Sequence, residues 1–307
     1  MNTTFRPSGI FSAQWIPTDS DGRVERAALA SHIAFERRHG ISGVLALGST
    51  GEFPHFTVDE REALLATVAE LAAPLALIAN VTDIRPRAAI TLGRTARNLG
   101  YSAIALMPPV FFPVSQADML AYFLHVAEAV ELPVMLYNFP ELTGKRIDLA
   151  TVAAFAERAP MCAIKQSGGE FAYHRELIAL GREKNFVVMS GSDTRLPEVF
   201  KLGAAGCIGG LVNIVPELMV LIDRVCRLGE LGDSTAAANV MKEIGPVIDQ
   251  LTFPLNVAAG LEARGFNPGV PKTVVSSESR ALYAKIVAEL VALFNKHHVA
   301  LAPAAGA

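Results

Sequence analysis

The sequence predicts an α/β protein built as a closed (β/α)8 TIM barrel with a C-terminal helical extension. Two observations predict this fold. Short aliphatic runs alternate eight times with longer segments of helical period. The runs do not alternate apolar and polar residues, as a strand with one solvent-exposed face would. Units of about 20 to 30 residues are typical of such a barrel. A doubly wound open sheet is the alternative, which the missing G-x-G-x-x-G motif after the first run disfavours.

The predicted elements follow one another in strand–helix order. The strands cover residues 10–16, 43–47, 75–80, 102–107, 133–137, 161–165, 186–190 and 206–210. The helices after them cover residues 24–39, 58–71, 86–99, 115–130, 148–158, 171–180, 194–202 and 216–228. Thr57 and Glu60 have the spacing of a capping box at the start of the second helix. Gly100 and Gly203 are typical helix stop signals.

Beyond residue 229 the helical period continues without intervening strands, over residues 234–251, 255–264 and 279–294. We therefore expect residues 1–228 to form the barrel that carries the active site. Residues 229–299 are expected to form a helical region packed on the barrel, and residues 300–307 a disordered tail of small residues.

Composition limits the classes of function. Hydrophobic residues make up 51 % of the chain and charged residues 19 %, which excludes widespread disorder. The net charge of −3 gives no indication of nucleic acid or of an acidic membrane surface as partner. No apolar run is long enough to span a membrane, and the first residues lack a signal-peptide pattern. Cys162, Cys207 and Cys226 lack metal-binding spacing, and we expect them to be reduced core thiols of a cytoplasmic protein.

A lysine ends the sixth predicted strand. The run at residues 161–165 is apolar up to Lys165, and a polar, glycine-containing turn follows at once. An ammonium group at the end of a buried strand loses its water, which favours the neutral amine. A neutral amine is a nucleophile towards carbonyl groups. We therefore expect Lys165 to form a Schiff base with a 2-oxo acid, although a strand-end lysine that reaches solvent would have the same pattern.

The loop after the second strand has the composition of an anion site. Gly48 and Gly51 flank Ser49 and Thr50. Glycines let backbone N–H groups converge on an anion, and the two hydroxyls add donors. A carboxylate fits better than a triphosphate, because the P-loop spacing is absent. An ordinary turn whose hydroxyls cap the next helix is the alternative.

Tyr137 closes the otherwise aliphatic fifth strand. Its phenol is suited to moving protons beside a reactive lysine, whereas a core tyrosine with a bonded hydroxyl is the alternative. The ends of the second, fifth and sixth strands should face one mouth of the barrel. The seven histidines and the cysteines contain no H-E-x-x-H or C-x-x-C motif, so we expect a mechanism without a metal. We call residues 48–52 the anion loop. His55 follows this loop and is expected to be a solvated loop histidine.

Four segments together resemble a known family: GSTGEF (48–53), YNFPELTGK (137–145), AIKQSGG (163–169) and SGSDT (190–194). They are similar to the dihydrodipicolinate synthase / N-acetylneuraminate lyase family of class I pyruvate-type aldolases. The resemblance implies that Lys165 forms the imine and Tyr137 relays protons. It also implies that Ser49 and Thr50 hold the carboxylate of pyruvate and that Ile208 lines the pyruvate end. No cofactor is implied beyond the covalent imine, and a homotetramer, a dimer of dimers, is the implied assembly.

Some positions depart from the synthases of that family. Where those enzymes carry an arginine for the dicarboxylate product, this chain has Leu142. Where they carry a relay tyrosine inserted from a neighbouring subunit, the stretch at residues 109–113 with Phe111 has no hydroxyl. Sialic-acid lyases have an acidic residue after the aspartate of the seventh strand, but Asp193 is followed by Thr194. Gly210 replaces an expected hydroxyl residue.

These departures favour the sugar-acid aldolase branch. The predicted function is the cleavage or formation of a 2-oxo acid, a 2-keto-3-deoxy sugar acid, from pyruvate and an aldehyde. The expected substrate-pocket residues are Gly48, Gly51, Phe111, Leu142, Gly191, Asp193 and Gly210. The same imine would also serve a dehydratase of a hydroxylated 2-oxo acid or a divergent dihydrodipicolinate synthase. A pyruvate-binding scaffold without activity is the non-enzyme alternative.

Overall fold

A closed barrel of eight parallel strands forms the centre of the computed structural model, which describes residues 5–301. The strands are β1 (Gly9–Ala13), β2 (Gly43–Ala46), β3 (Ala76–Asn80), β4 (Ala103–Leu106), β5 (Val134–Asn138), β6 (Met161–Gln166), β7 (Val187–Ser190) and β8 (Gly206–Gly209). They pair in chain order, and β1 closes the barrel against β8. The predicted (β/α)8 barrel is confirmed.

Helices follow each strand and continue beyond the last one. Around the barrel lie α1 (Arg26–Arg38), α2 (Val58–Ala72), α3 (Pro86–Asn98), α4 (Gln116–Val130), α5 (Pro140–Thr143), α6 (Leu149–Arg158), α7 (Phe171–Lys184), α8 (Leu196–Leu202) and α9 (Pro216–Cys226). The C-terminal region adds α10 (Thr235–Ile248), α11 (Leu255–Ala263) and α12 (Ser277–Lys296). The capping box is confirmed: the Thr57 hydroxyl accepts from the Glu60 N–H, and the Glu60 carboxylate accepts from the Thr57 N–H.

The first strand is shorter than the sequence predicted, because its pairing with β8 does not continue beyond Ala13. The Trp15 N–H donates to Oδ1 of Asn213 at 2.9 Å, and Nδ2 of Asn213 donates to the Ala13 carbonyl at 2.9 Å. An asparagine side chain after β8 thus takes up backbone groups that a longer ladder would have paired. The expected strand over 10–16 is therefore wrong at its C-terminal end.

The three cysteines do not share one environment. Cys162 and Cys207 are buried, as expected of core thiols, and neither forms a disulfide. Cys226 is exposed at the end of α9, so its assignment to the core is wrong. The hydrophobic period of the helix did not reveal that its last residue faces outwards.

The C-terminal helices reach the barrel end that holds the carboxyl ends of the strands. α10 packs against α9 and the single turn Asp193–Arg195, and α11 packs against α12 and the turn Leu211–Asn213. A Cβ built on Gly210 would lie 3.3 Å from Cγ2 of Val257 in α11. α11 thus adds a wall to the barrel mouth. The division at residue 229 stays a prediction, and the tail from residue 302 lies outside the described residues. In the part of the chain described, no helix is long and apolar enough to cross a membrane.

Candidate active site

Lys165 and Tyr137 face each other on neighbouring strands at the mouth of the barrel. They are register partners in the parallel pair β5–β6. Both side chains lie in the interior, with 3 % of Lys165 and 2 % of Tyr137 exposed. Nζ of Lys165 donates to the Tyr137 hydroxyl at 2.9 Å and lies 4.2 Å from the centre of its ring. A proton can pass directly between an amine and a phenol at this distance.

Ser49 adds a third polar group to this pair. Its Oγ lies 3.4 Å from the Tyr137 hydroxyl, so one phenol contacts both the lysine and the loop after β2. Ser49 and Thr50 are buried hydroxyls. The loop folds tightly beside β1, because a Cβ on Gly51 would lie 2.8 Å from the Gln14 carbonyl oxygen. Only glycine fits there, which explains the residue type at position 51.

A cavity of about 610 Å³ opens above the lysine, at the carboxyl ends of the strands. The structure brings together most of the predicted site residues in its walls: Lys165, Tyr137, Thr50, Ile208, Gly191, Asp193 and Gly210. Ser49 meets this group through Tyr137. Gly48 and Gly51 shape the loop backbone and are not among the residues that line this cavity.

Asp193 has a fixed position beside the lysine. Its Oδ2 accepts from the Leu211 N–H at 2.8 Å, and its Oδ1 accepts from the Cys207 thiol at 3.4 Å. A Cβ on Gly209 would collide with the carboxylate, so the glycine makes room for it. Burial raises the pKa of Asp193, while these hydrogen bonds and the charge of Lys165 act in the opposite direction. Asp193 thus ties the loop after β8 to the cavity wall.

Two predicted pocket residues line a neighbouring cavity. Phe111 and Leu142 line a second cavity of about 710 Å³, which Ser49 also lines. Phe111 has a left-handed backbone with φ of 78° and is 83 % exposed, and Leu142 on the short helix α5 is 50 % exposed. The two side chains are not among the residues that line the lysine cavity, but Phe253 lines both cavities. Their assignment to the substrate pocket stays a prediction.

Some residues at the lysine cavity were not predicted. Glu141 rests its carboxylate against Gly168, where a Cβ would collide with it. Asp249 and Asn256 come from the C-terminal region, and the amide oxygen of Asn256 is shielded from solvent without a hydrogen-bond partner in residues 5–301. Glu141 stands within the YNFPELTGK segment and could have been noticed there. No local signal marks Asp249 or Asn256, because only the packing of α10 and α11 brings them to the mouth.

Metal-binding groups do not converge at this site. Within residues 5–301, no three His, Cys, Asp or Glu side chains lie together in an arrangement suited to a metal ion. His55 borders the second cavity rather than the lysine cavity. A reaction without a metal stays a prediction.

Comparison with known proteins identifies the family. The model of the dihydrodipicolinate synthetase family matches residues 6–290. The chain belongs to this family. The resemblance carried by the four segments is thereby confirmed, and so is the prediction of an enzyme, since members of the family are pyruvate-dependent carbon–carbon lyases.

Relatives with assigned names are moderately similar along nearly their whole length. The 4-hydroxy-tetrahydrodipicolinate synthase of Exiguobacterium sp. is 30 % identical over 92 % of this chain and 97 % of its own. That of Methanococcoides burtonii is 28 % identical over 92 % and 98 %. The crystal structure of YagE, a prophage protein of this family from E. coli K12 in complex with pyruvate, has a TM-score of 0.84 at 28 % identity and covers 93 % of this chain and 98 % of its own. The N-acetylneuraminate lyase of Fusobacterium nucleatum has a TM-score of 0.84 at 20 % identity, covers 94 % of this chain and 98 % of its own, and shows the shared fold alone.

Proposed function

We propose that this protein is a Schiff-base-forming class I aldolase that cleaves or forms a 2-oxo acid from pyruvate and an aldehyde. One observation carries the proposal: the Lys165 amine lies 2.9 Å from the Tyr137 hydroxyl, which lies 3.4 Å from Oγ of Ser49. A nucleophile, a proton carrier and a donor for an anion are thus joined at one end of a cavity. The YagE crystal structure, which contains pyruvate, supports a 2-oxo acid as ligand.

The first chemical step is imine formation. The Lys165 amine adds to the C2 carbonyl of the 2-oxo acid, whose C1 carboxylate accepts hydrogen bonds from Ser49 and Thr50. Tyr137 delivers a proton to the C2 oxygen, which leaves as water, and a protonated imine remains. The apolar Ile208 packs beside the pyruvate portion. The chain supplies every group of this step, so no cofactor is required.

The protonated imine then accepts electrons from the bond that breaks. Tyr137 takes the proton of the C4 hydroxyl, the C4–O bond becomes a carbonyl, and the C3–C4 electron pair moves into the imine. The products are an aldehyde and the enamine of pyruvate on Lys165. Protonation of C3 by Tyr137 and hydrolysis by water release pyruvate and restore the amine. The reverse sequence forms the C–C bond.

The charges around the cavity favour a hydroxylated aldehyde. Glu141, Asp193 and Asp249 are acids that line it. The lining residues include two cations, Lys165 and Arg195. The guanidinium of Arg195 is paired with Glu198. A second carboxylate on the substrate would meet acids without a free cation, whereas hydroxyl groups can donate to them. A 2-keto-3-deoxy sugar acid, with its single carboxylate on the anion loop, has the matching pattern.

Condensation of pyruvate with aspartate semialdehyde is the second candidate. The names of the Exiguobacterium and Methanococcoides relatives favour it. Leu142 and Phe111 oppose it, because neither can pair the carboxylate or relay the proton for which the family's synthases use arginine and tyrosine. The acids around the cavity also oppose a substrate with a second carboxylate.

Reduction of the imine tests the proposal. Incubation with pyruvate and borohydride should add one reduced pyruvate per chain, and peptide mass spectrometry should locate it on Lys165. Lys165→Ala should give no adduct. Lys201→Ala, which removes an exposed lysine of α8, is the matched control and should give a full adduct. A wild-type chain without an adduct, or an adduct that persists in Lys165→Ala, would contradict the mechanism.

A substrate panel separates the two candidates. The enzyme should cleave 2-keto-3-deoxy sugar acids to pyruvate and a hydroxyaldehyde with a higher kcat/KM than it shows for condensation of aspartate semialdehyde with pyruvate. A kcat/KM for aspartate semialdehyde above that of every sugar acid would establish the synthase instead. Loss of water from the sugar acid without pyruvate release would indicate a dehydratase.

We also propose that the enzyme is a cytoplasmic homotetramer. The free, buried thiols of Cys162 and Cys207 are compatible with a reducing compartment. Exposed aromatic side chains beside the second cavity, Phe111 and Phe112, support an interface between copies of the chain.

A further inference from the structure

A buried ion pair joins the C-terminal region to the loop that carries Ser49 and Thr50. Nζ of Lys272 lies 2.6 Å from Oε2 of Glu52, and their side chains are 5 % and 8 % exposed. The same Nζ donates to the Ile16 carbonyl at 2.8 Å and lies 4.7 Å from the centre of the Trp15 ring. Lys272 lies between α11 and α12, so this contact spans 220 residues of sequence.

Such a pair is a weak source of net stability. Burial lowers the pKa of Lys272, and the charge and hydrogen bond of Glu52 oppose this effect. The desolvation of two charges offsets most of their attraction, so a buried pair is better explained by the geometry that it enforces. The backbone of Glu52 has an unusual conformation, which such a pair can hold in place.

Glu52 is the residue that closes the anion loop. Its backbone is left-handed, with φ of 55°, a conformation that disfavours non-glycine residues. Its N–H donates to the Ser49 carbonyl at 3.0 Å, and its own carbonyl accepts from the His55 N–H at 3.0 Å. The position of Glu52 therefore sets the turn on which Ser49 lies. A free carboxylate here would also repel the substrate carboxylate, and the ammonium of Lys272 neutralises it.

We propose that Lys272 is a positioning residue for pyruvate: by holding Glu52, it keeps Ser49 and Thr50 arranged for the C1 carboxylate. The inference rests on the proposed function, because it assumes that this loop binds the carboxylate of a 2-oxo acid. Lys272 does not itself touch the substrate. Its loss should weaken the binding of pyruvate more than it slows the chemistry after binding.

The experiment is a pyruvate titration of borohydride trapping on Lys165. In Lys272→Met, which keeps the length of the side chain and removes the charge, the half-saturating pyruvate concentration should rise about tenfold. The extent of trapping at saturating pyruvate should stay that of the wild type. Lys272→Arg keeps the cation and should raise the midpoint less than Lys272→Met does, although its larger planar head fits the site less well. Lys285→Met, an exposed lysine of α12, is the matched control and should not change the titration.

A second variant is needed because Lys272→Met leaves Glu52 buried and unpaired, which can impair folding. Glu52→Gln with Lys272→Met leaves no unpaired charge, and it should melt near the wild-type temperature and still need about tenfold more pyruvate. A wild-type midpoint in this folded double variant would overturn the role of Lys272. That outcome differs from failure of the proposed function, in which the wild-type chain itself gives no adduct on Lys165.

Discussion

At the scale of single residues, Tyr137 connects the two halves of the site. Its hydroxyl accepts from the Lys165 amine and lies within reach of Oγ of Ser49. The ring is held by burial and by stacking on Phe139, with their planes 17° apart. The phenol is therefore fixed at one point. A single fixed hydroxyl can serve imine formation and C–C cleavage in turn, because the reacting atoms C2 and C4 lie two bonds apart in the substrate.

Tyr137→Phe should keep the fold and lose most of the catalysis. We expect kcat for cleavage to fall by roughly 10² to 10⁴, the usual contribution of a positioned acid–base group. Trapping of pyruvate on Lys165 should become slower without being abolished, since the amine remains. Steady-state cleavage and the time course of trapping measure the two effects.

Tyr101→Phe is the control for Tyr137→Phe. It removes another buried hydroxyl, which donates to the Leu65 carbonyl at 2.8 Å away from the cavity. This variant should lose about 1 kcal/mol of stability and no activity. A wild-type kcat in Tyr137→Phe would exclude Tyr137 as the proton carrier.

At the scale of elements, helix α1 contacts strand β1 and the residue that follows it through buried polar groups. Oγ of Ser12 donates to Oε1 of Glu36 at 2.5 Å, and Nε2 of Gln14 lies 3.1 Å from Nδ1 of His32. Burial raises the pKa of Glu36 to about 8 and lowers the pKa of His32 to about 4. Both groups are therefore uncharged in the folded protein near neutral pH.

The stability of the wild type should therefore fall relative to Glu36→Gln between pH 6.5 and pH 8. In this window the unfolded chain has an ionised Glu36, whereas the folded chain keeps the proton up to its raised pKa. The folded state binds more protons, so the free energy of unfolding decreases by at most about 1.4 kcal/mol per pH unit. His32 is present in both proteins, so the protonation of its unfolded form near pH 6.5 contributes to both and cancels in the difference.

Denaturant unfolding of both proteins at several pH values measures the difference. Glu289→Gln removes an exposed glutamate of α12 and should show no such trend relative to the wild type. A difference between wild type and Glu36→Gln that is constant from pH 6.5 to pH 8 would show that Glu36 is already ionised in the folded protein.

At the scale of the whole molecule, the sequence predicted features that depend on local patterns and missed features that depend on contacts between distant segments. Lys165 and Tyr137 could be predicted because each ends an apolar run, and strand ends share one mouth in a barrel. Asn256 and Lys272 could not, since their contacts depend on how the C-terminal helices fold back over that mouth. Which cavity Phe111 lines could not be predicted either, because residue order does not determine which way an irregular segment turns.

The surface around the second cavity bears on the assembly of the chain. Its exposed apolar side chains form one group: Ile84, Val110, Phe111 and Leu142 line the cavity, and Phe112 stacks edge-on against Phe111. A monomer rarely exposes such a group without a use for it. Cover by a second copy of the chain would remove these side chains from water and would close the cavity that Ser49 borders.

Replacement of both phenylalanines by charge should therefore break the assembly. Phe111→Glu with Phe112→Glu should shift the molar mass in light scattering from four chains to fewer, because two carboxylates would be buried in each copy of the interface. Leu231→Glu is the control: it changes a fully exposed leucine that lines neither cavity and should keep the wild-type mass. A double variant that remains tetrameric would show that this apolar surface takes no part in assembly. The surface would then serve as the wall of a ligand cavity.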